Sequence, residues 1–412
     1  FYGGAGNDTL TGTLDGDVLD GASGINLADY HASADSLTVN LTTSSQNIYK
    51  TGDIPSPTNS DTLKNLKNIT TGSGADIITG NLEDNVIKSG SGNDKLYGGD
   101  GVDTLYGEAG DDNFIGGTGN DTFYGGDAST DTSLNDTADY TSALFAINAN
   151  LGTGTVVGNA STEGTDTLYG IEHIIGSLSN DILIGKSTVV NNLQGSGGDD
   201  TLTGNLDGDI LNGGSGSNLA DYSARSDNLT ADLTAPANNI YVKDSTPTGA
   251  NSDSLSSISN IKTGSGADQL IGNASANILS AGSGADTLIG GGGIDTLYGE
   301  AGDDTLTGGL DGDLLDGGTN TDKASYVSST SALVNDLYTQ RIASSLSDLT
   351  IANHYDTMAN IELIVTGSGN DTFLSSGAND TLHSTIDGGS GINIIDYSSL
   401  SSSAIGADLS TF

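Results

Sequence analysis

The chain has 412 residues, with 11 Lys and Arg against 54 Asp and Glu, a net charge of −43, 62 Gly, no Cys and no Trp. So strong a polyanion does not hold a nucleic-acid backbone, which needs clustered Lys and Arg, nor an anionic membrane surface, and without Cys it has no disulfides, thiolate metal sites or thiol nucleophiles. With 34% hydrophobic and 5% aromatic residues its composition is that of a disordered chain unless some other agent supplies positive charge, and no apolar run is long enough to span a bilayer.

Asp, sometimes Asn, recurs every nine residues in long runs separated by inserts. Segment 1–30 opens the pattern with Gly3-Gly4-Ala5-Gly6-Asn7-Asp8-Thr9-Leu10, followed by Asp17 and Asn26. Insert 31–70 begins after Asp29-Tyr30 and carries an alternating strand, Leu37-Thr38-Val39-Asn40-Leu41. Segment 71–127 holds Asp76, Asn85, Asp94, Asp103, Asp112 and Asp121 in unbroken register. Two places after each sits a large apolar residue: Ile78, Ile87, Leu96, Leu105, Phe114 and Phe123. Insert 128–174 contains Asp139-Tyr140 and closes on Asp166-Thr167-Leu168-Tyr169-Gly170-Ile171.

Segment 175–222 holds Asp181, Asn191, Asp200, Asp209 and Asn218, with one extra residue between the first two. Insert 223–262 follows Asp221-Tyr222 and repeats the alternating strand as Leu229-Thr230-Ala231-Asp232-Leu233. Segment 263–326 holds Asp268, Asn277, Asp286, Asp295, Asp304, Asp313 and Asp322. Insert 327–365 has Ser325-Tyr326 where the others have Asp-Tyr, and closes on Asp356-Thr357-Met358-Ala359-Asn360-Ile361. Segment 366–397 holds Asp371, Asp380 and, after a slip, Asn393; residues 398–412 read as the start of another insert. The inserts read as β-hairpins and short strands that close one roll and start the next, with the Tyr rings plugging the roll ends. Their loops, such as Ile48 to Ser60, are candidate contacts with neighbouring chains.

A longer period overlies the short one. Asn26-Leu27-Ala28-Asp29-Tyr30 returns as Asn218-Leu219-Ala220-Asp221-Tyr222, and Thr71 to Asp76 returns as Thr263 to Asp268, each 192 residues on. The expectation is a piece of a longer tandem array.

The unit resembles the RTX nonapeptide, G-G-x-G-x-D-x-U-x, a calcium-binding parallel β-helix repeat. Roughly 24 copies are recognisable. The resemblance implies an all-β fold of tandem parallel β-rolls, two nonapeptides per coil, separated by the hairpin-like inserts. The glycines let the backbone bend with φ > 0, which aims carbonyl oxygens at a point near the Asp carboxylate. Calcium takes six to eight oxygens in forgiving geometry, and the family shares each ion between stacked turns. The expected ligands are Asp8, Asp17, Asp76, Asp94, Asp103, Asp112, Asp121, Asp181, Asp200, Asp209, Asp268, Asp286, Asp295, Asp304, Asp313, Asp322, Asp371 and Asp380. Stacked pairs of these would hold on the order of 14 Ca²⁺, roughly +28 against the chain's negative charge. Metal binding is then folding free energy. Asn26, Asn85, Asn191, Asn218, Asn277 and Asn393 bring amides to the acidic position and should bind weakly or only structurally. Leu14-Asp15, Leu206-Asp207 and Leu310-Asp311 replace the usual small residue and Gly, so their turns depart from the pattern.

No constellation for catalysis emerges. His31, His173, His354 and His383 share no spacing, no H-E-x-x-H or G-x-S-x-G is present, and Gly290 to Gly293 lacks the Lys-Ser/Thr of a phosphate loop. The expected function is therefore a non-catalytic extracellular structural protein (a surface-layer component, adhesin stalk or matrix fibre) whose folding and assembly calcium drives. The alternative is the calcium-binding tail of a secreted hydrolase or epimerase. A carbohydrate-binding module on the inserts is disfavoured by their few aromatics. By the resemblance, the chain leaves a Gram-negative cell unfolded by type I secretion and folds in external calcium. The partners expected are calcium ions and further copies of the chain, with no nucleic acid and no membrane insertion.

Overall fold

The computed structural model describes residues 1–43, 45–126, 135–158, 164–237, 239–243, 245–248, 250–309, 311–375 and 385–396. Asp380, His383, Leu310 and the segment 398–412 lie outside them. The chain divides into two units, Phe1–Asn205 with Asp209–Asn218, and Leu206–Gly208 with Leu219–Phe412.

A nonapeptide typically gives a turn and a three-residue strand, lengthened to six residues at Lys95–Asp100 and Asn113–Thr118. In strands such as Lys-flanked Val86–Lys88, Thr104–Tyr106 and Thr122–Tyr124 only the middle residue is buried. The strands pair in parallel, and the partner lies 18 residues on: Leu96 faces Phe114, and Leu105 faces Phe123. Successive nonapeptides thus alternate between two sheets, and two of them complete one coil. The apolar residue two places after each Asp points between the sheets. Ile78, Ile87, Leu96, Leu105, Phe114 and Phe123 are all fully buried, and the last two rings stack at 5.5 Å. In the second unit Leu270, Leu279, Leu288, Leu297, Leu306 and Leu315 do the same. Each such side chain contributes about 1.5–3 kcal/mol by leaving water, a core one residue thick per rung.

The stacking does not stop at the inserts. In the first unit Val18–Asp20 pairs in parallel with Ser60–Lys64, which runs antiparallel to Ile48–Lys50. That strand runs antiparallel to Leu37–Asn40, which resumes parallel pairing with Ile77–Thr79. A hairpin has been spliced into one sheet, with one reversed strand, while the other sheet continues from Leu27–Asp29 to Asn68–Thr70. The second insert is spliced into the opposite sheet: Thr122–Tyr124, Thr165–Tyr169, Thr155–Gly158, Ile147–Asn150 and Ile182–Ile184 follow in order. In the second unit, Leu314–Asp316, Tyr355–Ala359, Arg341–Ala343, Val334–Asp336 and Thr372–Leu374 repeat that splice. The period-two apolar pattern drives this: Leu37, Val39 and Ile48 are fully buried, as are Leu229, Ala231 and Ile240. So the inserts are hairpins, as read from sequence, but within each unit the coils run through the first, second and fourth of them, where an end and a fresh start were expected.

Among the described residues there is no α-helix, only a 3₁₀ turn at Asp348–Thr350, and no helix is long and apolar enough to cross a membrane.

Candidate metal centres

The repeat aspartates form columns along the coils. The amide of Asp76 donates to Oδ1 of Asp94 (2.7 Å), Asp94 to Asp112 (2.8 Å), Asn85 to Asp103 (2.7 Å) and Asp103 to Asp121 (2.8 Å). The second unit repeats this from Asp268 through Asp286 and Asp304 to Asp322, and from Asn277 through Asp295 to Asp313. One oxygen of each carboxylate thereby joins its coil to the preceding one. The columns are buried; Asp103, Asp268, Asp295 and Asp322 have no exposed surface.

The second oxygen is different. Oδ2 of Asp8, Asp76, Asp94, Asp103, Asp121, Asp200, Asp268, Asp286, Asp295, Asp304, Asp313, Asp322 and Asp371 is buried without a hydrogen-bond partner. A buried anionic oxygen left in that state is strongly unfavourable. None of the ion pairs among the described residues involves these aspartates; those between basic side chains and carboxylates join Lys50 to Asp35 at 2.8 Å, Lys67 to Glu83 and Asp84, and Arg225 to Asp227. Burial is the main force on the columns' protonation. It pushes the carboxyls of Asp103 and Asp286 up to about 7, and those of Asp76, Asp121, Asp200, Asp295 and Asp322 up to about 6.

Further oxygens converge on the same points. A Cβ built on Gly98 would collide with Asp103 Oδ2 of its own turn and with the Gly116 carbonyl of the next coil. Gly195 meets Asp200 Oδ2 and the Gly213 carbonyl in the same way, and Gly299 meets Asp304 Oδ2 and the Gly317 carbonyl. Glycine is required there because carboxylate and carbonyl oxygens from two stacked turns crowd one point. An all-oxygen, anionic, buried donor set fits a hard divalent cation such as calcium, and a cation between stacked carboxylates removes their mutual repulsion.

Not every position has this bare oxygen. Asn85, Asn191 and Asn277 keep the column hydrogen bond and use their own Nδ2 to reach the carbonyls of Lys67, Glu172 and Ser259, at 2.7–2.8 Å. Asp17 and Asp209, in two of the turns that depart from the pattern, accept an amide of their own turn on Oδ2, from Thr13 and Asn205. Asp181 accepts the Ser177 amide there at 2.6 Å and the Ser177 hydroxyl on Oδ1. Asp112 is in its column, and Asp380 lies outside the described residues.

Sequence reading missed several members. Asp136 receives the Asp112 amide at 2.8 Å and is fully buried; the signal was Asn135-Asp136-Thr137, a copy of Asn120-Asp121-Thr122, set 24 residues beyond Asp112 where the regular step is 18. Glu172 and Glu362 receive the amides of Asp136 and Asp322. The insert-closing aspartates also belong to the columns: Asp61, Asp166 and Asp356 accept the amides of Asp17, Asp121 and Asp313, at 2.8–3.0 Å. Asp15, Asp17 and Asp61 bring one carboxylate oxygen each to within 4.8 Å of one another.

A sequence model of the RTX calcium-binding nonapeptide repeat, in its four-copy form, matches residues 1–28, 70–105, 97–129, 190–220, 262–297 and 289–324. No curated protein matches the chain. The matched stretches hold the regular runs of the aspartate columns, and they recur through both units: the chain is a tandem-repeat protein built on RTX calcium-binding nonapeptides.

Proposed function

We propose that this chain is a non-catalytic extracellular structural protein, built of calcium-bound coils and serving a surface layer, an adhesin stalk or a matrix fibre. RTX repeats make it a calcium-dependent extracellular protein, and the finer reading rests on how the chain is built. The observation that carries it is the extent of the columns: coil after coil carries buried carboxylate oxygens with no protein partner. At neutral pH and above, bound cations are what make such a chain compact, so the amount of stiff structure scales with the number of coils, as in solenoids generally. The column aspartates with a bare Oδ2 hold the ions, the turn glycines admit the carbonyls, and the apolar residues of the strands fill the space between the sheets. The chemistry calcium supplies is charge neutralisation.

The test is electron microscopy of the purified chain before and after calcium addition, together with turnover assays on ester, peptide and glycosidic substrates. Extended particles or ordered assemblies formed only in calcium, without turnover, support the proposal. Hydrolysis of any of those bonds, or compact particles indifferent to calcium, contradicts it.

A further inference from the structure

Each of the four inserts carries the same pair. The Tyr30 hydroxyl donates to Asp61 Oδ2 at 2.7 Å, Tyr140 to Asp166 Oδ2 at 2.8 Å, Tyr222 to Asp253 Oδ2 at 2.6 Å, and Tyr326 to Asp356 Oδ2 at 2.9 Å. Oδ2 is the atom that stands bare in Asp103, Asp121, Asp295 and Asp313. The neighbouring rungs show that the columns are otherwise continuous: Asp121 donates its amide to Asp166, and Asp313 donates its amide to Asp356. The tyrosines come from a different part of the insert, 26–31 residues from their aspartates. Tyr30, Tyr222 and Tyr326 are at most 4% exposed. Burial, and the carboxylate each faces, raise the hydroxyl pKa of Tyr30, Tyr140 and Tyr326, so the phenol remains the proton donor. A neutral O–H donor meeting a carboxylate is a charge-assisted hydrogen bond, stronger than a neutral pair. It satisfies the oxygen that a cation satisfies elsewhere.

We infer that Tyr30, Tyr140 and Tyr326 decide which rungs of the columns take calcium, by filling the ligand oxygen of Asp61, Asp166 and Asp356 with a hydroxyl so that those three rungs are held without an ion; the Tyr222–Asp253 pair repeats the contact in the third insert, where Asp253 Oδ2 also accepts the Leu206 amide. The hairpins are thus spliced into the solenoid at ion-free clamps. The repeated Asp-Tyr at the insert openings acquires a reason, and so does Tyr326, which keeps the role although Ser325 has replaced its Asp. This inference rests on the reading that the repeat aspartates hold calcium. Asp61 also faces Asp15 and Asp17, so the test belongs at the second insert.

The experiment uses the full chain and calcium alone. Ions per chain at saturation are counted by equilibrium dialysis and elemental analysis for the wild type, Asp103→Asn and Asp166→Asn. The expected result is a loss of at least one ion in Asp103→Asn and the wild-type count in Asp166→Asn. The Tm of the calcium-saturated chain is then compared for Tyr140→Phe and for Tyr106→Phe, whose ring lies in a stack with Tyr124 on the outer face. Tyr140→Phe should lower the Tm and Tyr106→Phe should not. An ion lost from Asp166→Asn, or a Tyr140→Phe chain with wild-type Tm, overturns the inference while leaving the calcium reading intact. A wild-type chain that binds no calcium overturns both.

Discussion

Asp103 and Asp166 stand in one column, two rungs apart, and accept the same kind of bond from the preceding coil, at 2.7 and 2.8 Å. They differ in what meets the other oxygen: no protein group at Asp103, the Tyr140 hydroxyl at Asp166. Asn85, on the rung before, shows a third solution, an amide that brings its own donor. The comparison teaches that the geometry of the coil is independent of how the acidic position is neutralised. What varies is whether the rung depends on something outside the chain. The regular rolls depend on it, and the insert junctions do not.

The sharpest way to break this contrast is to remove calcium. The chelated chain is expected to show a coil spectrum by circular dichroism and the calcium-loaded chain β structure. A spectrum unchanged by chelation would show that the bare carboxylates are tolerated, and the distinction between the two regions would vanish. Next in size is Asp103→Ala. At calcium a hundredfold above its Kd, losing one ion removes about 2.7 kcal/mol of stability, to be seen as a lower denaturation midpoint in calcium. The same midpoint in Asp103→Ala as in wild type would contradict a ligand role.

Acid provides a third probe, because a proton is the other partner the bare oxygens can take. Burial raises the folded-state pKa of Asp103 and Asp286 to about 7 from the ordinary 3.8. A group raised in the fold stabilises it below its unfolded value and loses that contribution as pH climbs through the folded one. The calcium-free chain should therefore regain β structure as pH falls from about 8 to about 4, while calcium affinity weakens below about 7 as protons compete. Ellipticity of the calcium-free chain that is flat across that range would argue against buried, unpaired carboxylates.

Much of this was legible in the sequence because its cause is local. The nine-residue step of Asp76, Asp94 and Asp112 with Ile78, Leu96 and Phe114 follows from a turn and a strand that repeat without interruption, so register can be read by counting. Asp136 escaped because six residues intervene before the pattern resumes. The continuity of the coils through the inserts escaped for a related reason: Asp17 and Asp121 find their next rung 44 and 45 residues away, and nothing in a linear pattern announces so long a reach. The closing Asp of each insert was visible as a motif, but its carboxylate reads like any other. Its distinct role lies in a Tyr hydroxyl brought to it by folding.

A fourth prediction concerns a rung that neither solution serves. Asn335 sits at a core position facing Ile342 and Phe373, is 1% exposed, and leaves both side-chain polar atoms without a partner. Asn335→Val should stabilise the calcium-loaded chain by about 1 kcal/mol, the scale of an unsatisfied buried polar group, read as a raised midpoint; a lowered midpoint would show that the amide has a partner. The smallest effect expected is from His354→Ala. Its imidazole is exposed and its pairing with Asp348 is 3.5 Å long, so stability should stay within about 0.5 kcal/mol of wild type.

The central claim is that cations complete the oxygen clusters at the regular turns and are absent from the tyrosine-clamped ones. The most direct measurement is an anomalous-difference map from a crystal of the chain grown in calcium. Peaks beside Oδ2 of Asp94, Asp103, Asp286 and Asp304, with none beside Oδ2 of Asp166 and Asp356, are the predicted result. Empty density at the first four positions would contradict it.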